Sequence, residues 1–379
     1  MPRAPDPGAK TNLPARRGTS CALIYLDLRV YMLLALSATL ASSAEAPVPD
    51  VHIHTPLLRS SKLSERVGGP VYLKMDALQP GGSFKARGIG RLCTHLVRER
   101  GVTRLVSSSC ANAGMAVAVA GRALGVATTI VASDVDRGCR LLESFRRLGA
   151  EVLLEGKEWN DADARARALG DEPASAYVPM FDHPLIVDGH SSLVEELFSD
   201  RNGEPPGCIV LSVGGGGLLS GVCEGLKRVG WGSVPVYACQ SERCNLLDRA
   251  MASGRTPTPT HIYSADGHDL GTRAVAQAAL DCSAELDVRS LLVSDSATLA
   301  AVGEFLDDER VMVEPLCAVA LAALYTRPEL FRQHGSVVVV VCGGSLCSLD
   351  DVVAWRRRAE RGSAATSDDD EPGHGHGES

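Results

Sequence analysis

Cys208-Ile209-Val210-Leu211-Ser212-Val213 runs directly into Gly214-Gly215-Gly216-Gly217 and then into Leu218-Leu219. The first six residues make an apolar run of strand length, and a helical pattern from Leu218 to Val229 follows the glycines. A near-continuous apolar strand that turns into a helix belongs to a parallel sheet covered on both faces. Successive amides without Cβ atoms can approach an anion and point their N–H groups at it, assisted by the helix start. The segment therefore reads as a cup for a single phosphate group. A dinucleotide fingerprint would need glycine at positions one, three and six, and counting from Gly214 the sixth is Leu219. No Gly-Lys-Ser/Thr ending of a P-loop follows. On its own, the run keeps a glycine-rich tight turn as the lesser alternative.

Working outward, the same alternation continues on both sides. Strand-like runs occur at Val71–Met75, Arg104–Ser107, Thr128–Ala132, Glu151–Leu154, Val234–Cys239 and Val337–Cys342. Helical patterns fall at Lys85–Arg100, Ala113–Gly125, Cys139–Leu148, Trp159–Leu169, Ser191–Phe198, Ser296–Asp308 and Ala318–Tyr325. This predicts an α/β protein with parallel sheets, and no internal repeat is visible. Both ends differ from this body. Residues 1–50 begin with a Pro-, Gly- and basic-rich stretch and continue into an apolar one. The clean part, Val30 to Ala41, is too short to span a bilayer, and the charged region ahead of it is too long for a secretory signal. A poorly ordered extension is expected, with an organelle presequence or a start at Met32 as the alternatives. The end, 356–379, carries the acidic run Asp368–Glu371 and Gly373-His374-Gly375-His376-Gly377, and reads as a disordered tail.

The chain has 379 residues, 45% of them hydrophobic, which is ample for a large core. Its net charge of −8 offers no basic footprint for nucleic acid, and no membrane span is expected. Twelve cysteines without a CxxC pair read as reduced thiols, so a cytoplasmic location is expected, or an organelle if the extension is a presequence.

Three further segments carry chemistry. Ser83-Phe84-Lys85-Ala86-Arg87-Gly88 follows a strand and the turn Gln79-Pro80-Gly81-Gly82, at the start of a helix. The positive end of the helix dipole and desolvation both disfavour the charged form of Lys85, and a neutral amine is what Schiff-base chemistry needs. Taken alone, Lys85 reads as an ordinary surface lysine. Ser107-Ser108-Ser109-Cys110-Ala111-Asn112 lies between a strand and an Ala-rich helix. Its hydroxyls and amides can form a carboxylate-binding loop or a simple run of N-caps. Val337–Val341 leads into Cys342-Gly343-Gly344, a buried thiol followed by a flexible turn.

With these residues in place, the chain resembles the fold-type II pyridoxal-phosphate enzymes (tryptophan synthase β-like), and within them the catabolic L-serine dehydratase/L-threonine deaminase group with its serine-dehydratase-like member. The resemblance covers about His54–Leu349. It includes His54-Thr55-Pro56-Leu57, Tyr72-Leu73-Lys74-Met75-Asp76, Phe181-Asp182-His183-Pro184-Leu185-Ile186, Ser212–Leu219, Asp307-Asp308-Glu309-Arg310, Val313-Glu314-Pro315 and Val341-Cys342-Gly343-Gly344. It implies two lobes, each with a mainly parallel sheet flanked by helices: a small lobe at 86–188, and a large lobe at 51–85 plus 189–355. It implies that Lys85 holds pyridoxal 5'-phosphate covalently, with Phe84 against the cofactor ring and Asn112 on its ring hydroxyl. Gly214, Gly215, Gly216 and Gly217 would bind the phosphate, and Cys342 would face the pyridine nitrogen. Ser109, Cys110, Ala111 and Asn112 would form the substrate loop. The implied reaction takes L-serine to pyruvate and L-threonine to 2-oxobutanoate, with release of ammonia. A homodimer is implied as well. With some two dozen polar residues after Trp355, no regulatory module is expected.

The chain departs from the family in four places. Cys110-Ala111 replaces a small residue and glycine, which raises the questions of backbone strain at 111 and of bulk in the pocket. Gln240 stands where relatives carry a glutamate in a monovalent-cation-binding stretch, with Glu242 nearby. The stretch Tyr263–Leu270 departs from the pattern, and Val313–Val319 is bulkier. The alternatives to a lyase are therefore a serine racemase, a β-replacement enzyme, or a weakly active cofactor-binding homologue.

Overall fold

Val337–Val340 (β12) is buried along its whole length because it has a parallel neighbour on each side, Val71–Lys74 (β2) and Cys208–Ser212 (β7). It is the centre of a six-stranded sheet in a computed structural model that describes residues 51–255, 264–265, 268–269, 271–272 and 274–357. The strand order is β1-β2-β12-β7-β8-β11, with β1 at Leu57–Ser60, β8 at Val236–Ser241 and β11 at Val288–Val293. Only β1 runs antiparallel, against β2. A second sheet, all parallel, has the order β5-β4-β3-β6, with β3 at Arg104–Ser107, β4 at Ala127–Ala132, β5 at Glu151–Leu154 and β6 at Ser175–Tyr177. A two-residue pair, Ser264–Ala265 (β9) with His268–Asp269 (β10), completes the strands among the described residues.

Helices cover both sheets. In chain order they are α1 (Ser61–Val67), α2 (Lys85–Arg98), α3 (Asn112–Leu124), α4 (Leu141–Arg147), α5 (Trp159–Gly170) and α6 (Pro184–Asp200). They continue with α7 (Gly217–Arg228), α8 (Leu246–Ser253), α9 (Gln277–Glu285), α10 (Asp295–Glu309) and α11 (Pro315–Thr326). The central strands match the expected runs closely because a strand buried on both faces must be apolar throughout. The strands that the reading passed over, β1, β6 and β11, are sheet edges of mixed composition, such as Val288-Arg289-Ser290. Helix α6 starts seven residues before the expected Ser191, since Pro184 occupies its first turn and the His183 side chain caps it by accepting from Leu185 N. Of the two ends, 1–50 and 358–379 lie outside the described residues, as do Tyr263, Asp266, Gly267 and Leu270 of the stretch Tyr263–Leu270.

The topology decides what meets what. β2, β12 and β7 are parallel neighbours, so the loops that leave their C-terminal ends emerge at one edge. Those loops are the segment leading to Lys85, the Cys342–Ser345 turn and the tetraglycine turn. Ligands of open α/β sheets bind at this edge.

Candidate active site

Lys85 opens α2, with Phe84 before it as N-cap. Its Nζ donates to the Met180 carbonyl at 2.6 Å and lies 5.3 Å from the Phe84 ring and 5.8 Å from the Phe181 ring. Burial lowers the pKa of the amine from 10.5 to about 8, against the raising influence of Cys342 and Glu314. A large fraction of a group with that pKa is neutral just above physiological pH, so the nitrogen lone pair is available.

The tetraglycine turn reaches the same place from the other side. A Cβ at Gly215 would stand 2.7 Å from the Phe181 ring, and one at Gly217 would stand 3.0 Å from the Phe181 carbonyl. Phe181 thus lies between the amine and the turn, which brings Lys85 and Gly214–Gly217 together. Gly216 has φ +88°, and a Cβ there would come within 2.5 Å of Ala279 in α9. Helix α7 begins at Gly217, and the N–H groups of its first turn have no partner within the helix. This is a cradle built from backbone donors that side chains would fill.

The Cys342 turn is joined to the start of α2 by backbone bonds. Phe84 N donates to Cys342 O at 3.1 Å, and Gly344 N donates to Gly82 O at 2.8 Å. The hydrogen bond with Cys317 and burial hold the Cys342 thiol far above the usual thiol range, so it is a neutral group. Asn112, the first residue of α3, donates through Nδ2 to Glu314 Oε1 at 2.7 Å and accepts from Ser345 N at 3.0 Å. A Cβ at Gly344, where φ is +130°, would overlap the Glu314 carboxylate. The sequence showed Glu314 as part of a motif without assigning it a function. The structure makes it a buried carboxylate beside both Asn112 and Lys85.

The loop before α3 answers both questions raised by Cys110-Ala111. Ala111 is extended, with φ −121° and ψ −158°, so its Cβ causes no strain. Cys110 does not simply add bulk to a pocket: its thiol is grouped with Asp136 and Cys139, and Cys139 Sγ donates to Cys110 O at 3.2 Å. Burial, with Asp136 and Cys139, raises its pKa well above the thiol range. Ser109 is buried and its Oγ accepts from Ala111 N at 3.3 Å. Ser108 points away and donates to Asp163 at 2.5 Å. Asp163 also takes hydrogen bonds from Tyr177 and Arg167, which outweigh the raising effect of burial and lower its pKa.

Two groups escaped the sequence reading altogether. Arg87, two residues after Lys85, is fully buried and grips Asp76 through Nε at 2.7 Å and Glu196 through Nη1 at 2.6 Å. Lys74, also fully buried, pairs with Glu196 at 2.7 Å and Asp200 at 3.1 Å. Burial alone would lower the Arg87 pKa, and its bonds to Asp76 and Glu196 outweigh that and raise it. The only signal for this network was the charge inside apolar motifs, at Lys74, Asp76 and Arg87. The other group is His190, buried in α6 with its ring 5.0 Å from that of Phe84. Among the described residues neither ring nitrogen has a hydrogen-bond partner, and burial, with Lys85 and Arg87 nearby, holds the imidazole neutral.

A half-buried amine of lowered pKa, a side-chain-free anion cradle and a neutral thiol, all at one sheet edge, fit pyridoxal phosphate. The comparisons agree. The model of the family described as "Pyridoxal-phosphate dependent enzyme" matches residues 48–343. The chain belongs to that family, and its fold is that of the fold-type II members. Within the family it is similar to human serine dehydratase-like, 43% identical over 304 residues, covering 78% of this chain and 91% of the relative. Human L-serine dehydratase/L-threonine deaminase is 41% identical over 317 residues, covering 81% of this chain and 95% of the relative. A solved structure of a fungal L-serine ammonia-lyase from Rhizomucor miehei superimposes with a TM-score of 0.76 at 35% identity, covering 82% of this chain and all of the other.

Proposed function

We infer that this chain is a pyridoxal-phosphate-dependent ammonia-lyase that converts L-serine to pyruvate and L-threonine to 2-oxobutanoate. The observation that carries the reading is the meeting of the Lys85 amine and the tetraglycine turn around Phe181, in a chain of this family. Bound in this cleft, the cofactor supplies an electron sink for a carbanion at the substrate's Cα.

The chain's own residues supply the rest. Lys85 would hold the cofactor, and its Nζ, whose charged form burial disfavours, would be the group that takes the substrate's Cα proton. Gly214–Gly217 hold the phosphate with backbone N–H groups. Asn112, kept in one orientation by Glu314 and Ser345 N, presents its amide to the ring hydroxyl. The uncharged Cys342 thiol would face the cofactor's ring nitrogen, and Phe84, with His190 behind it, would pack on the ring. Ser109 and the amides from Cys110 to Asn112 receive the substrate carboxylate. Residues 86–188 form the small lobe on this reading, which is supported by the second sheet lying wholly within 104–177. The enzyme acts as a homodimer, a state that light scattering checks.

The test is direct. Purified protein loaded with pyridoxal phosphate should form keto acid and ammonia from L-serine and L-threonine, and the Lys85→Ala variant should not. No keto acid from either amino acid, with wild type and variant behaving alike, refutes the reading. D-serine appearing in place of pyruvate would assign a racemase.

A further inference from the structure

The resemblance that supplies the cofactor also implies a monovalent cation bound near position 240, and the residues there do not fit one. Gln240 lies in β8, buried to 1% exposure. Its Nε2 donates to the Val213 carbonyl at 3.3 Å and to the Cys244 carbonyl at 3.3 Å. Its Oε1 accepts from Asp248 N at 3.0 Å, in the first turn of α8. That backbone donor allows only one orientation of the amide: oxygen toward α8, nitrogen toward the two carbonyls. A dehydrated monovalent cation is held by just such carbonyl oxygens. Here the partial positive charge of an amide NH2 already faces them, and both of its hydrogens have acceptors. The nearby Glu242 is exposed, with its backbone N on Val293 O, so it supplies no buried negative charge in exchange.

Charge points the same way. A carboxylate at a site this buried would need a cation beside it, whereas a neutral amide closes its hydrogen bonds without one. The position matters to the site because Val213 immediately precedes Gly214, so whatever holds its carbonyl holds the base of the phosphate cradle.

We propose that the Gln240 side-chain amide stands in for a bound monovalent cation, tying Val213 to Cys244 and making the phosphate turn independent of potassium or sodium.

The test compares thermal midpoints in potassium chloride, sodium chloride and tetramethylammonium chloride at equal ionic strength, for the cofactor-loaded wild type and the Gln240→Glu variant. The wild type should melt within about 1 °C in all three, and its keto-acid rate should change by less than about twofold. The variant, with a carboxylate beside two freed carbonyls, should gain a rise of roughly 5 °C in the alkali salt it binds. A comparable potassium- or sodium-dependent rise in the wild type overturns the proposal, and so does a folded Glu variant indifferent to all three salts. If that variant does not fold, the wild-type comparison decides alone. The midpoint is read whether or not the protein turns over serine, so its outcome stays separate from that of the ammonia-lyase assay.

Discussion

Beneath Lys85 the chain buries a cluster of full charges, with Arg87 between Asp76 and Glu196 and Lys74 between Glu196 and Asp200. Around Gly214–Gly217 the contacts among the described residues are uncharged: the turn is walled by Phe181, Ala279 and Val275, and stitched by backbone atoms and the Gln240 amide. The two regions share one sheet edge but meet different requirements. A lysine that must become neutral is not ion-paired to the cluster, so its helix is anchored by charges that pair with one another, starting at Arg87 two residues on. An anion cradle needs donors at close range, so its side chains are removed and its shape rests on glycine.

The largest effect separating these regions is chemical. Replacing Lys85 with Ala should cut keto-acid formation at least about a thousandfold and abolish the cofactor absorbance that borohydride removes, with little change in the unfolding midpoint. The ion cluster should behave in the opposite way. Arg87→Met leaves Asp76 buried without its cation and Glu196 with Lys74 alone, a cost of roughly 3–5 kcal/mol that denaturant unfolding would measure. Equal stability of this variant and the wild type would show that the cluster does not anchor α2. On the glycine side, Gly216→Ala forces a side chain into φ +88° and against Ala279. A stability loss of about 1–3 kcal/mol is expected, with weaker cofactor retention on dialysis.

The pH dependence of cofactor uptake sharpens the contrast further. Only the neutral amine reacts, and its pKa is about 8, so the uptake rate should fall about tenfold per pH unit below that value and level off above it. Stopped-flow absorbance reads this directly, and a profile centred near the ordinary lysine value of 10.5 would contradict the burial of Lys85. The same depression has a stability consequence. Between pH 8 and 10.5 the unfolded lysine holds a proton that the folded one has lost, so the cofactor-free protein gains stability as pH rises through that window. The smallest effect is expected at Ala111→Gly. Since Ala111 is extended, restoring the family's glycine relieves nothing and should destabilise by about 0.4–1 kcal/mol through unfolded-state entropy.

The amino-acid sequence by itself determined the strands that are apolar end to end, the glycine turn after β7 and the candidacy of Lys85, because these depend on local composition and on residues adjacent in the chain. It also carried the family, through motifs in fixed order. Edge strands such as β11 and the first turns of α6 were less legible, since burial on one side only leaves a mixed pattern. Tertiary structure alone decided which loops share an edge, that Glu314 meets Asn112 across 202 positions, and that Cys110 faces Asp136 and Cys139. The same holds for the backbone angle at Ala111, the Arg87 cluster and the two carbonyls on the Gln240 amide. The physical reason is common to all of these: a buried polar group must find its partner in space, and strand order, not spacing along the chain, sets which partner is within reach.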